Sequence, residues 1–139
     1  MMGVIESALQ RDGRANVGRI AALLPLLFDE RIVEILLNGR NQYNFRQLVL
    51  LNNLYLANYN DRYLSLLMPF YRALSIMMDA GAITLNGGDI EPSFNQSFNI
   101  AVSSDSGRMK RVAEATGRLL SISEKETNKE LYQLLKVAL

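Results

Sequence analysis

The run GRMKRVAEATGR, from Gly107 to Arg118, places four cations close together: Arg108, Lys110, Arg111 and Arg118. Groups of this kind can neutralise phosphates, so these four are the candidate nucleic-acid contacts. Such contacts would position a duplex without reading its bases. Glu114 sits among them, and the favoured reading of the run is the solvated face of an amphipathic helix. Arginine outnumbers lysine by 11 to 4 in the chain. Its planar fork suits a partner's carboxylate as readily as a phosphate.

No other stretch has residue types at a spacing that chemistry would need. Histidine and cysteine are both absent, which removes the commonest general base, the commonest metal ligand and any thiolate. There is no phosphate loop, nucleophile elbow or metal-ligand spacing. Ser121, Ser123 and Lys125 form a Ser-x-Ser-x-Lys run, which is too common to mark a nucleophile. Asp29 and Glu30 read as a helix cap, and Asp89 and Glu91 as a solvated wing. The Gly-rich LNGGD sits between two short extended runs and not at a helix start, so it does not cradle phosphate. The expectation is a non-enzymatic protein with no catalytic residue, no metal and no cofactor.

The distribution of charge is more informative than its total. The net charge of +1 argues for neither a nucleic-acid nor a membrane partner. Residues 1–40 hold 10 charged side chains and residues 104–139 hold 12, but the 63 residues from Asn41 to Ser103 hold only 7. One reading is a surface covered there by Asn, Gln, Ser and Tyr. The other is a protein interface, whose core is poor in charge and rich in aromatic residues, Met and Arg. On that reading Tyr43, Phe45, Tyr55, Tyr59 and Tyr63 are the candidate partner contacts.

These candidates need elements to hold them. VGRIAALL reads as a short apolar helix that Pro25 interrupts or ends. DERIVEILLNG has a cap at Asp29, a buried stripe of Ile32, Val33, Ile35 and Leu36, and a stop at Asn38-Gly39. YNFRQLVLLNNLYLANY reads as a further helix. Asn60 or Asp61 then caps a long helix running to about Asp79. It carries Leu64, Leu67, Met68, Tyr71, Leu74 and Met78 on one face, and Leu66, Phe70, Ile76 and Met77 over much of the rest. A helix apolar nearly all round is expected to be buried on more than one side. Pro69 should kink it, unless the helix begins there.

AITL and DIEPSF flank Asn86-Gly87-Gly88, a strong hairpin signal. A helix followed by a short hairpin is the end of a winged-helix unit. After the polar linker NQSFNIAVSSDSG, a helix from about Ser106 to Leu120 buries Met109, Val112, Ala113, Thr116, Leu119 and Leu120. A last helix begins near Thr127, which has capping-box spacing to Glu130. The fold expected is mainly α: one small helical domain over residues 1–139, with a winged-helix-like helix–hairpin unit and two C-terminal helices. Residues 1–15, polar and punctuated by glycine, read as frayed or docked on a partner. With 139 residues the chain is long enough to fold without disulfide or metal. No apolar run reaches the roughly 18 residues of a membrane helix, and the start lacks the pattern of a signal peptide, so a cytoplasmic location is expected.

The second half, LLMPFYRALSIMMDAGAITLNGGDIEP followed by GRMKRVAEATGRLLSI and a short final helix, resembles the middle component of three-component ABC-ATPase systems. There a small subunit accompanies an SMC- or Rad50-like ATPase and an effector, and Lamassu-type anti-phage defence is the best-known branch. The resemblance begins near RIAALLPLLFDERIVEILLNG and covers about residues 19–137. It is carried by the Leu-Met-Pro-Phe run in an apolar helix, the Asp-Ala-Gly-Ala-Ile exit into a hairpin, and the Arg-Val-Ala-Glu helix. The chain departs at its start, where the family usually has a longer apolar helix. The resemblance implies a non-enzymatic accessory subunit of a defence complex. Its partners would be an SMC/Rad50-like ATPase subunit and a nuclease-type effector subunit, with DNA reached through the complex and no membrane involved. The alternative from the residues themselves is an autonomous winged-helix DNA-binding regulator. Against it, Arg62 and Arg72 are the only cations between Asp61 and Asp79.

Overall fold

The computed structural model describes residues 1–38, 44–51, 58–93 and 107–136. The chain is mainly helical with a small three-stranded sheet, in the order α1 (Met2–Asp12), β1 (Ala15–Asn16), α2 (Val17–Leu27), α3 (Glu30–Leu37), α4 (Phe45–Leu51), α5 (Tyr59–Asp79), β2 (Ile83–Asn86), β3 (Asp89–Pro92), α6 (Gly107–Ser123) and α7 (Asn128–Leu135). The sheet is antiparallel with strand order β1-β3-β2. A strand between the first two helices pairs with the second strand of a hairpin that follows a long helix. This helix–hairpin unit is winged-helix-like, although four helices (α2 to α5) lie between β1 and the hairpin, and α6 and α7 add the two C-terminal helices.

The first segment departs from expectation. Residues 2–12 form a helix, and Val4, Ile5 and Ala8 are buried within the chain. They fall at i, i+1 and i+4, a stripe that packs mainly against α6. The segment read as frayed or partner-docked is therefore docked on its own domain. Gly13, which looked like loose punctuation, is the helix stop. It takes φ 72°, and its amide donates to the Leu9 carbonyl at 2.7 Å. The chain then enters β1, where Ala15 pairs with Ile90. Arg14 holds the strand edge through Glu91 at 2.8 Å and Asp89 at 3.8 Å.

Helix α2 starts at Asn16, whose side chain accepts from the Arg19 amide at 3.0 Å. It continues two residues beyond Pro25, and every residue from Ile20 to Leu27 is buried. A proline lacks the amide that would close the ladder and crowds the turn before it. The buried Tyr59 hydroxyl fills that disturbed turn. It donates to the Ala22 carbonyl. Burial pushes the Tyr59 phenol well above its usual pKa, so it is neutral and able to donate.

Helix α3 is capped as expected, with Asp29 accepting from the Arg31 amide at 2.9 Å. The same carboxylate is buried and faces Arg31 at 3.2 Å and Arg62 at 3.3 Å, which ties the start of α3 to α5. Burial alone would raise its pKa, but the hydrogen bonds from Arg31 and Arg62 outweigh that and hold it below the usual carboxylate range. In the hairpin, Gly87 and Gly88 take φ of 60° and 94° between the paired Asn86 and Asp89. Both central residues of this two-residue turn thus need positive φ, which explains the glycine pair. Thr127 caps α7 by accepting from the Glu130 amide at 3.1 Å. The Tyr132 side chain of α7 reaches over Gly18 of α2, where a Cβ would overlap its hydroxyl.

Helix α5 runs 21 residues with Pro69 inside it. Its N-cap is Asn58 at φ 60°, ahead of the Asn60 or Asp61 expected. Asparagine is one of the residues that tolerates this left-handed conformation. Pro69 lies on the exposed side, so the carbonyl of Ser65, also exposed, can be solvated in place of the missing amide bond.

Candidate functional site

The two faces of α5 differ from expectation in a way that matters for function. Tyr59, Tyr63, Phe70, Ala73, Leu74 and Met77 face the core. Leu64, Met68, Tyr71 and Met78, expected on the buried face, are instead 50%, 61%, 49% and 42% exposed. The helix is thus buried on one side only. Asp61, Leu64, Met68, Tyr71, Ser75 and Met78 follow one another at alternating steps of three and four, and all six are exposed. That spacing is a coiled-coil seam: one continuous stripe along the helix, apolar at four positions. Arg72 and Asp79 lie along one edge of it. Asp61, Arg72 and Asp79 have no ion-pair partner among the described residues.

The aromatic partner contacts proposed from sequence fall elsewhere. Phe45, Tyr59 and Tyr63 are buried in the chain's own core, so they are not available to a partner. Residue type alone does not say which side of a helix an aromatic side chain occupies. Tyr43 and Tyr55 lie outside the described residues. The seam residues were missed as a site, although the signal was present. Asp61, Ser65, Arg72, Ser75 and Asp79 all project to the seam side of α5, and polar residues grouped on one side mark it as the outer one.

The basic run behaves differently. Arg108 and Lys110 lie in the first turns of α6, and Lys110 is exposed. Arg111 reaches across to α3, at 3.8 Å from Glu30 and 4.0 Å from Glu34. Arg118 donates to the Leu36 carbonyl at the end of α3 at 2.9 Å and lies 3.9 Å from Glu114. Two of the four proposed phosphate contacts are therefore engaged in holding α6 on α3, and acids surround them. The Arg108 side chain lies outside the described residues, and Lys110, Arg111 and Arg118 do not form a uniformly positive surface.

A small cleft of about 100 Å³ lies between α1, β1 and α6, lined by Arg11, Arg14, Arg19 and Glu124 among others. Its cations are already paired. Arg11 meets Glu124 at 3.0 Å, and Arg19 donates to the carbonyls of Glu126 and Ser123 and to Asn128. The volume is well below the roughly 300 Å³ of a small-molecule site. Among the described residues, no group of three His, Cys, Asp or Glu is placed to hold a metal ion. No helix among them is long and apolar enough to cross a membrane.

In a winged-helix frame, the helix before the hairpin is the one placed to enter a DNA groove. Here that helix is α5, and it presents Leu, Met and Tyr where a DNA reader would present cations. No protein-family model, curated protein or solved structure matches the chain.

Proposed function

We propose that this chain is a non-enzymatic accessory subunit of an SMC- or Rad50-like ATPase complex, of the kind that serves anti-phage defence in Lamassu-type systems. It would act in the cytoplasm, bridge the ATPase and a nuclease-type effector, and help keep that effector inactive until foreign DNA is sensed. One observation carries the reading. The outer face of α5, the helix before the hairpin, carries Leu64, Met68, Tyr71 and Met78 exposed along one stripe and few cations. Apolar stripes of this kind rimmed by charge mark protein–protein contact. The resemblance of residues 19–137 to the middle components of such systems supports this choice of assembly.

Co-expression with an SMC- or Rad50-like ATPase encoded beside the chain, followed by size-exclusion chromatography, tests the proposal. The expected result is co-elution, with a raised melting temperature for the small subunit. Separate elution at every ratio would sink it. The element order α1-β1-α2-α3-α4-α5-hairpin supports a second reading, an autonomous winged-helix DNA-binding regulator. That reading requires tight, salt-dependent binding of a duplex by the isolated chain.

A further inference from the structure

We propose that the first half of the outer seam of α5, from Asp61 to Arg72, is covered by the same stretch of a second copy of this chain, packed antiparallel, so that the subunit self-associates as a two-fold dimer. This goes beyond the accessory role but uses the same seam, so a second copy and an ATPase or effector would compete for that face. The seam has the alternating three-and-four spacing that lets one helix lie along another, and every seam position is exposed. The charges select the partner. Asp61 and Arg72 are exposed, stand 11 residues apart, and have no ion-pair partner among the described residues. Their separation along the axis is about 16 Å, some three helical turns.

In an antiparallel pair with the two-fold axis at the level of residue 66, Leu64 of each copy meets Met68 of the other. The same register brings Asp61 of each copy to Tyr71 and Arg72 of the other. The Asp61–Arg72 pair then forms twice, once on either side of the axis. A parallel pair would set Asp61 against Asp61 and leave Arg72 without an acid. A C2 interface must be self-complementary, and an acid and a base spaced symmetrically about an apolar pair satisfy that requirement. The contact is small. A standard interface takes roughly 800 Å² from each partner, so a dimer held by part of one helix from each copy should be weak and reversible.

Sedimentation equilibrium on the isolated chain tests the proposal, with circular dichroism confirming that each variant folds. All the substitutions lie at exposed positions. The wild-type chain should show a monomer–dimer equilibrium, and Met68→Glu should weaken it at least ~10-fold, as for a residue at the centre of an interface. Arg72→Asp should also weaken it, and the double variant Asp61→Arg with Arg72→Asp should restore it, because the exchanged charges meet again. The chain has no cysteine. A mixture of Leu64→Cys and Met68→Cys chains should therefore cross-link faster than either variant alone. A monomer at all concentrations would overturn the proposal, even if that monomer still bound an ATPase. A dimer indifferent to Met68→Glu, or charge reversals that the double variant does not rescue, would overturn it equally.

Discussion

The outward faces of α5 and α6 solve opposite problems. α6 carries arginines, and α3 brings acids and a carbonyl to meet Arg111 and Arg118. α5 carries Leu64, Met68, Tyr71 and Met78, and no part of the described chain covers them. A sequence scan ranks these regions the other way, since the basic run looks like a site and the apolar run looks like core. The difference lies in the neighbours. A charged side chain becomes ordinary once a neighbouring helix supplies its counter-charge, whereas an apolar stripe becomes a site once every neighbouring helix packs on the other side.

The sharpest test compares two adjacent residues of α5. Phe70 is fully buried, and Tyr71 is half exposed. Phe70→Ala should cost about 3–5 kcal/mol, because the core around it relaxes only partly into the space left. Tyr71→Ala should change the stability of the isolated chain by no more than about 0.5 kcal/mol. Paired thermal or denaturant melts give both numbers. Equal losses at the two positions would break the contrast on which the docking face rests.

That contrast also marks how far the sequence could be read. The hairpin was legible because Gly87 and Gly88 meet a backbone demand that few residues satisfy. The caps at Asp29 and Thr127 were legible for a similar reason, since each is a local hydrogen bond written in adjacent residues. The orientation of α5 was not read correctly. Two apolar stripes run along it at the same spacing, and choosing between them required weighing Asp61, Ser65, Arg72, Ser75 and Asp79 as a group. The role of residues 1–15 was missed because Val4, Ile5 and Ala8 are few among polar neighbours. The stripe is short, but α6 lies directly over it. The fate of Arg111 and Arg118 was not legible at all. Their acids and carbonyl come from α3, some 80 residues earlier in the case of Leu36 and Arg118, where the separation is 82.

Gly18 offers a second test, of how closely the C-terminal helices are bound into the domain. A Cβ there would overlap the Tyr132 hydroxyl. Gly18→Ala should therefore destabilise by about 1–3 kcal/mol, even though alanine is the better helix former. Adding Tyr132→Phe, which removes the clashing oxygen, should recover most of the loss. Failure to recover would mean that α7 is not seated on α2 as described.

Asp29 gives a smaller effect with a pH signature. Its carboxyl pKa is held below the usual range by Arg31 and Arg62. A depressed carboxylate adds stability that is fully present above its unfolded pKa, about 3.9, and is lost as pH falls through the folded value. Asp29→Asn should cost about 1 kcal/mol at pH 7, since asparagine can still cap but cannot pair with two guanidiniums. The difference between wild type and variant should shrink below about pH 4. A difference that stays constant from pH 7 to pH 2 would remove the carboxylate's charge from the account of how α3 is tied to α5.

The smallest effect is expected where the sequence looked most functional. Arg111 is exposed, and its acids Glu30 and Glu34 are more exposed still. Water screens such pairs, and holding two long side chains in one geometry costs entropy, so each contributes roughly 0–1 kcal/mol. Arg111→Ala should lower stability by about 0.5 kcal/mol or less, and moderate salt should erase the difference from wild type. Replacing Arg108, Lys110 and Arg111 together by Glu adds a functional readout in the assembled complex. With Glu30 and Glu34 beside Arg111, the local field is already diluted, and DNA affinity and its salt slope should change little. If instead DNA affinity collapses and the salt slope flattens while the complex stays assembled, these side chains contact phosphate despite their acidic neighbours. The two helix faces would then both be binding surfaces, α5 for protein and α6 for DNA, and the contrast between them would be one of ligand and not of use.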